Sequence, residues 1–171
     1  VLGDSTIDGD VTLTSTATGI TGITDTGTLN IRGTTTISAS GVDVTLNSAA
    51  NKFQGSIAID GSDVVVVDSY TTTDLAASTV TGTYTLTASG AVTDSGTLAI
   101  TGDTTISAAS SNVTLNTVTN NFQGAVAIDG VNVIVVDAGA IDLGASTVTG
   151  TYAVTATAGG DITDSDVLTI T

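Results

Sequence analysis

The sequence predicts an all-β protein built as a parallel β-helix, a coil of short strands stacked turn on turn. Three observations lead there: a composition dominated by β-branched residues, apolar and polar residues alternating over short runs, and a long segment that occurs twice. Threonine supplies 37 of the 171 residues, and with Val and Ile it fills the chain with side chains that suit extended backbone better than helix. Straight-chain helix formers are nearly absent, and no stretch keeps apolar residues at a 3.6 period. A mean hydropathy of +0.43 together with the aliphatic alternation separates the chain from Thr/Ser/Gly-rich disordered linkers.

The internal repeat sets the organisation. Residues 29–61 (LNIRGTTTISASGVDVTLNSAANKFQGSIAIDG) align without a gap on residues 98–130 (LAITGDTTISAASSNVTLNTVTNNFQGAVAIDG), with 20 identities in 33 at an offset of 69. Further on, LAASTVTGTY at 75–84 matches LGASTVTGTY at 143–152, at an offset of 68. Residues 25–29 parallel 94–98, and 164–170 open the same pattern again. The reading is one continuous solenoid over 1–171: the end of a preceding copy at 1–28, full copies at 29–97 and 98–166, and the start of another at 167–171. Neither end carries a polar capping unit, so a window from a longer array is expected.

Within a copy, the strings 97–101 (TLAIT), 112–116 (NVTLN) and 124–129 (GAVAID) alternate apolar and polar residues, giving each strand one face to bury. Turn signals lie between them: Thr101-Gly102-Asp103, the Asp-Gly pairs at 60–61 and 129–130, and Gly159-Gly160-Asp161. Such signals also make hairpins, which keeps an antiparallel sandwich open. The count favours the coil. About eight short strands per copy fall into three similar groups beginning near Gly96, Gly124 and Gly150. Three turns of roughly 23 residues per copy follow, and seven or so turns would make a rod roughly 35 Å long at the spacing of parallel ladders. Phe53 and Phe122, in the strings NKFQG and NNFQG, read as core plugs, and Asn51, Asn120 and Asn121 beside them suit turns with φ > 0.

Charge and missing residue types exclude several functions. All 17 acidic residues are Asp and the only cations are Arg32 and Lys52, for a net charge of −15. Binding a phosphate backbone needs clustered Lys and Arg, so no nucleic-acid partner is expected, nor an anionic membrane surface. The apolar runs are too short to span a bilayer and no signal peptide opens the chain. Without His, Cys or Glu there is no Ser–His pair, no thiol nucleophile, no imidazole or thiolate metal site and no Glu pair, so no enzyme is expected. An Asp-based glycosidase would want aromatic platforms, and three Tyr and two Phe do not supply them.

Two binding readings start from the surface. Asp8, Asp10, Asp63, Asp68, Asp161, Asp164 and Asp166 are of the type that holds Ca²⁺ in turns. Their spacing differs between copies and the glycine-rich nonapeptide of Ca²⁺-loaded coils is missing, so they read as turn formers and solvating charge, and no cofactor is expected. The Thr-x-Thr strings at 12/14, 26/28, 81/83/85/87 and 149/151 raise ice binding, but an ice face needs the motif on every turn and here it recurs unevenly. A carbohydrate-binding solenoid, a surface-layer subunit or a phage fibre is a further alternative. Arg32 and Lys52 face Thr101 and Asn121 in the alignment, so no repeated ion pair depends on them.

The most pointed features are two aliphatic runs, Val64-Val65-Val66-Val67 and Val133-Ile134-Val135-Val136. Alternate side chains of a strand point to opposite faces, so two of each four must point away from the interior. They are the candidate lateral interface: an apolar stripe recurring every three turns, through which rods associate side by side, against the plainer reading of ordinary exposed apolar area.

The blocks SGTLAITGDTTISA, NVTLNTVTNNFQGAVAIDG and LGASTVTGTYAVTATAGGDITDS resemble the repeats of very large secreted bacterial surface proteins of the filamentous haemagglutinin type, over nearly the whole chain. The resemblance implies a long right-handed β-helical shaft, export through an outer-membrane β-barrel, and a role in carrying adhesive or toxic regions away from the cell. The expected function is therefore a structural shaft segment of an extracellular or cell-surface adhesin or matrix filament. Its expected partners are other copies of the filament, by lateral or end-to-end association.

Overall fold

The computed structural model describes residues 1–16 and 22–171; the segment 1–28 of the sequence reading therefore lies partly outside the described residues. Among these residues there are 24 strands of two to six residues and no helix. Every strand pairing is parallel, which removes the antiparallel sandwich. Three strands make a turn, and about eight turns stack into a β-solenoid roughly 38 Å long at ~4.8 Å per turn.

Period-two burial fixes which residues line the interior. Val64–Asp68 alternates buried and half-buried, and so does Ile57–Gly61. Inward side chains stack into ladders through the rod: Leu46, Val66, Leu86, Ile106 and Ile128 form one, and Val44, Val64, Tyr84, Thr104 and Val126 another. This continuous apolar column is the core, and Phe53 and Phe122 are among its largest fully buried side chains, as plugs should be. At some corners successive turns meet glycine to glycine. A Cβ on Gly102 would stand 2.5 Å from the Gly82 carbonyl oxygen, so only glycine lets these turns approach.

Turn length is not the uniform value that the sequence suggests. Stacked positions are separated by 24 in the numbering at Asp4 and Thr28, but by only 18 at Asp129 and Thr147. The shortening has a location in each copy. Ile57–Gly61 carries two strands above it, with Ile57 under Leu75 and Asp60 and Gly61 under Thr79 and Val80. Ala125–Gly130 does the same, with Ala125 and Val126 under Asp142 and Leu143, and Asp129 and Gly130 under Thr147 and Val148. The Asp-Gly pairs that read as turns are thus the ends of these long strands.

Candidate functional site: the outer strand face and the polar corners

The aliphatic runs sit as strand periodicity requires. Val64, Val66, Val133 and Val135 are buried in the core, while Val65, Val67, Ile134 and Val136 point outward. Val65, Val67 and Val136 are half-buried; Ile134, at 40% exposure, is the most open of the eight. Their cover comes from the turns above and below. Val65 lies between Thr45 and Thr85, Ile134 between Thr114 and Ala153, and Val67 and Val136 lie under Thr87 and Thr155. These outward residues are rungs in mixed ladders of β-branched and small side chains.

The two runs do not make the stripe the sequence suggested. Val64–Asp68 pairs within the ten-stranded sheet and Val133–Asp137 within the eleven-stranded sheet, so they occupy different sides of the rod. The physical reason is the shortened turn: one copy covers more than three turns, and the second run comes round to a different side.

An ice-type array also fails to form on the ten-stranded sheet. Its outward pairs read Val65/Val67, Thr85/Thr87, Thr105/Ser107 and Ala127/Asp129 on successive turns, so paired threonines occupy only one of these four.

The aspartates have a job that was not legible in the sequence. At the outer corners Asp4, Asp10, Asp60, Asp63, Asp103 and Asp129 accept the backbone N–H of a residue one turn higher, namely Thr28, Thr34, Thr79, Thr83, Ala125 and Thr147, at 2.7–3.0 Å. The backbone carbonyls of Asp60, Asp63, Asp103 and Asp129 accept from the turn below, and the side-chain oxygen adds an acceptor for the turn above. The single methylene of Asp sets the reach of that oxygen. The Thr83 N–H and hydroxyl hold the Asp63 carboxyl below the usual carboxylate range, and Thr34 does the same for Asp10.

A second set of corners faces inward and recurs in both copies. Asn51 donates from Nδ2 to Asp25 Oδ2 at 2.6 Å and accepts the Leu29 N–H at 2.8 Å. Asn120 donates to Asp94 Oδ2 at 2.6 Å and accepts the Leu98 N–H at 2.9 Å. Higher up, Asp68 accepts the N–H of Phe53 and Tyr70 and the Thr73 hydroxyl, while Asp137 accepts the N–H of Phe122 and Gly139. Burial pushes the Asp68 carboxyl up, and those hydrogen bonds partly offset it. The expectation of φ > 0 at Asn51, Asn120 and Asn121 does not hold. Among the described residues only Gly41 and Gly159 have positive φ, and Asn51 and Asn120 are needed for their buried amides instead.

The remaining Ca²⁺ candidates do not converge. Asp8 pairs with Arg32 at 2.5 Å on the surface, Asp166 accepts the N–H of Val167, and Asp161 and Asp164 stand exposed. Among the described residues no three side chains of metal-binding type come together. An apolar recess lined by Leu2, Ile7, Val11, Leu13 and Phe53 is the interior of the coil seen at its first turn.

The fold and repeat have a counterpart among known families. The family described as "Repeats of unknown function (DUF5649)" matches residues 1–60, 61–129 and 130–171. The chain belongs to this family. The middle DUF5649 match, 61–129, spans the same 69-residue period as the copies 29–97 and 98–166 in a different frame, with the next match starting at Gly130 where the second copy starts at Leu98. No curated protein and no solved structure matches the chain.

Proposed function

We propose that this repeat β-solenoid is a segment of the shaft of an extracellular bacterial adhesin or matrix filament, and that its work is mechanical: length, stiffness and presentation of other regions. The observation that carries the reading is the unbroken interior. The apolar core and parallel pairing continue across the boundary between copies, Tyr84–Ala88 onto Thr104–Ser107 and Ala91–Asp94 onto Val113–Leu115, as a rod under tension needs. Most carboxylates serve as corner acceptors, which leaves little functional chemistry on the surface. An acidic exterior favours solubility despite the β content, and a chain without Cys can cross an oxidising compartment without cross-linking itself. The likeness to filamentous haemagglutinin-type repeats supports the extracellular part.

The test is immunogold electron microscopy of intact producing cells, with antibody against the folded chain. Labelling of filaments outside the cell is expected. Labelling that requires permeabilised cells overturns the extracellular assignment.

A further inference from the structure

We infer that any surface feature encoded once per repeat is presented in turn on each of the three sides of the rod, returning to a given side only after three repeats. The inference rests on strand pairing alone and is independent of where the chain acts.

Sequence-equivalent strands consistently change sheet between the copies. Thr35–Ser38 lies in the eleven-stranded sheet and its counterpart Thr104–Ser107 in the ten-stranded sheet. Tyr84–Ala88 lies in the ten-stranded sheet and Tyr152–Ala156 in the eleven-stranded sheet. The aliphatic runs follow the same rule. The cause is arithmetic imposed by the split strands. Leu29–Ile31, Leu98–Ile100 and Leu168–Ile170 are equivalent, and each is the tenth strand after the one before. A turn holds three strands, so ten strands leave each copy one strand out of phase with the last. At Ile57–Gly61, and again at Ala125–Gly130, one face ends and the next divides in two, which carries the whole pattern forward by one side.

Three repeats make thirty strands, or ten turns, about 48 Å at ~4.8 Å per turn. A second copy lying straight along one side would therefore meet the Val133–Asp137 type of outer face at intervals of about 48 Å, never as a continuous stripe.

Nitroxide pairs placed on exposed threonines test this by dipolar electron paramagnetic resonance. Thr87 and Thr155 are equivalent in the two copies but lie on different sheets. Thr87 and Thr147 are unrelated in sequence but stack three turns apart on one sheet, through Ser107 and Asp129. In the Thr87→Cys/Thr147→Cys variant the labelled positions should lie about 14 Å apart along the rod, and the Thr87→Cys/Thr155→Cys distance should be the longer by several ångströms. The reverse order, or equal distances, overturns the inference. A circular dichroism spectrum matching the unlabelled chain establishes that each variant is folded.

Discussion

The two copies, 29–97 and 98–166, agree inside and differ outside. The pair Asn51–Asp25, which ties the first copy to the residues before it, has its counterpart in Asn120–Asp94, which ties the second copy to the first, with the same 2.6 Å amide-to-carboxylate hydrogen bond in each. The outer corner built by Asp43 and Asp63 becomes Asn112 and Asn132 in the second copy, yet the side-chain oxygen still accepts from the turn above: Asp63 and Thr83 in one, Asn132 and Thr151 in the other. Inside, a buried amide must donate to one neighbour and accept from another, so identity is fixed. Outside, only one oxygen at the right reach is needed, and charge is interchangeable.

The largest test of that contrast is at the inner corner. Asn120→Ala strands the Leu98 N–H and removes a donor from the Asp94 carboxylate, so a loss of roughly 3 kcal/mol is expected. Asn51→Ala should cost the same, read as loss of hydrogen-exchange protection in the turns on either side. Costs differing severalfold would show that the two interiors are not equivalent.

A smaller effect of opposite sign is expected at Thr35 and Thr104, equivalent buried residues whose hydroxyls have no partner among the described residues. Thr104→Val keeps the shape and removes an unpaired polar group, which should stabilise by about 1 kcal/mol, and Thr35→Val likewise. Thermal melts of the two variants check this; a lowered Tm would mean that the hydroxyl is satisfied.

The smallest effect is at the outer corner. Asp63→Asn copies what the second repeat does at Asn132, so stability at neutral pH should move by less than about 0.5 kcal/mol. Its signature lies in acid. The Asp63 carboxyl titrates lower folded than unfolded, so the stability it contributes is present above the ordinary Asp range and lost as pH falls through the folded value. Replacing it should flatten the acid limb of Tm from the ordinary Asp range downward. Asp68 works the other way. Its raised pKa gives a stabilising contribution from protonation at low pH that is lost as pH rises, so Asp68→Asn should leave the acid limb at least as steep.

Much of this architecture was legible from one chain, because alternation and self-similarity are local signals. That two of each four residues in the aliphatic runs turn inward, the packing of Phe53 and Phe122, and the parallel coil follow from period two and from the repeat, while the phase, Val64 and Val66 in, is set by the turns on either side. What was not legible depends on how one turn sits on the next. Nothing in IAIDG announces that it will support two strands, so a turn length read from sequence is too long and sets the two aliphatic runs on one side. Asn and Asp were ambiguous for a related reason: in sequence they signal turns, calcium or corner acceptors alike, and only the neighbouring turn decides among them.

The out-of-phase repeat couples two quantities that a rod designer would otherwise set separately. Each added repeat lengthens the coil by three and a third turns, about 16 Å, and also rotates whatever follows it by about a third of a circle. Copy number is then a dial for both reach and heading. Arrays differing by one repeat would aim a terminal domain in different directions, while arrays differing by three would aim it the same way from farther out.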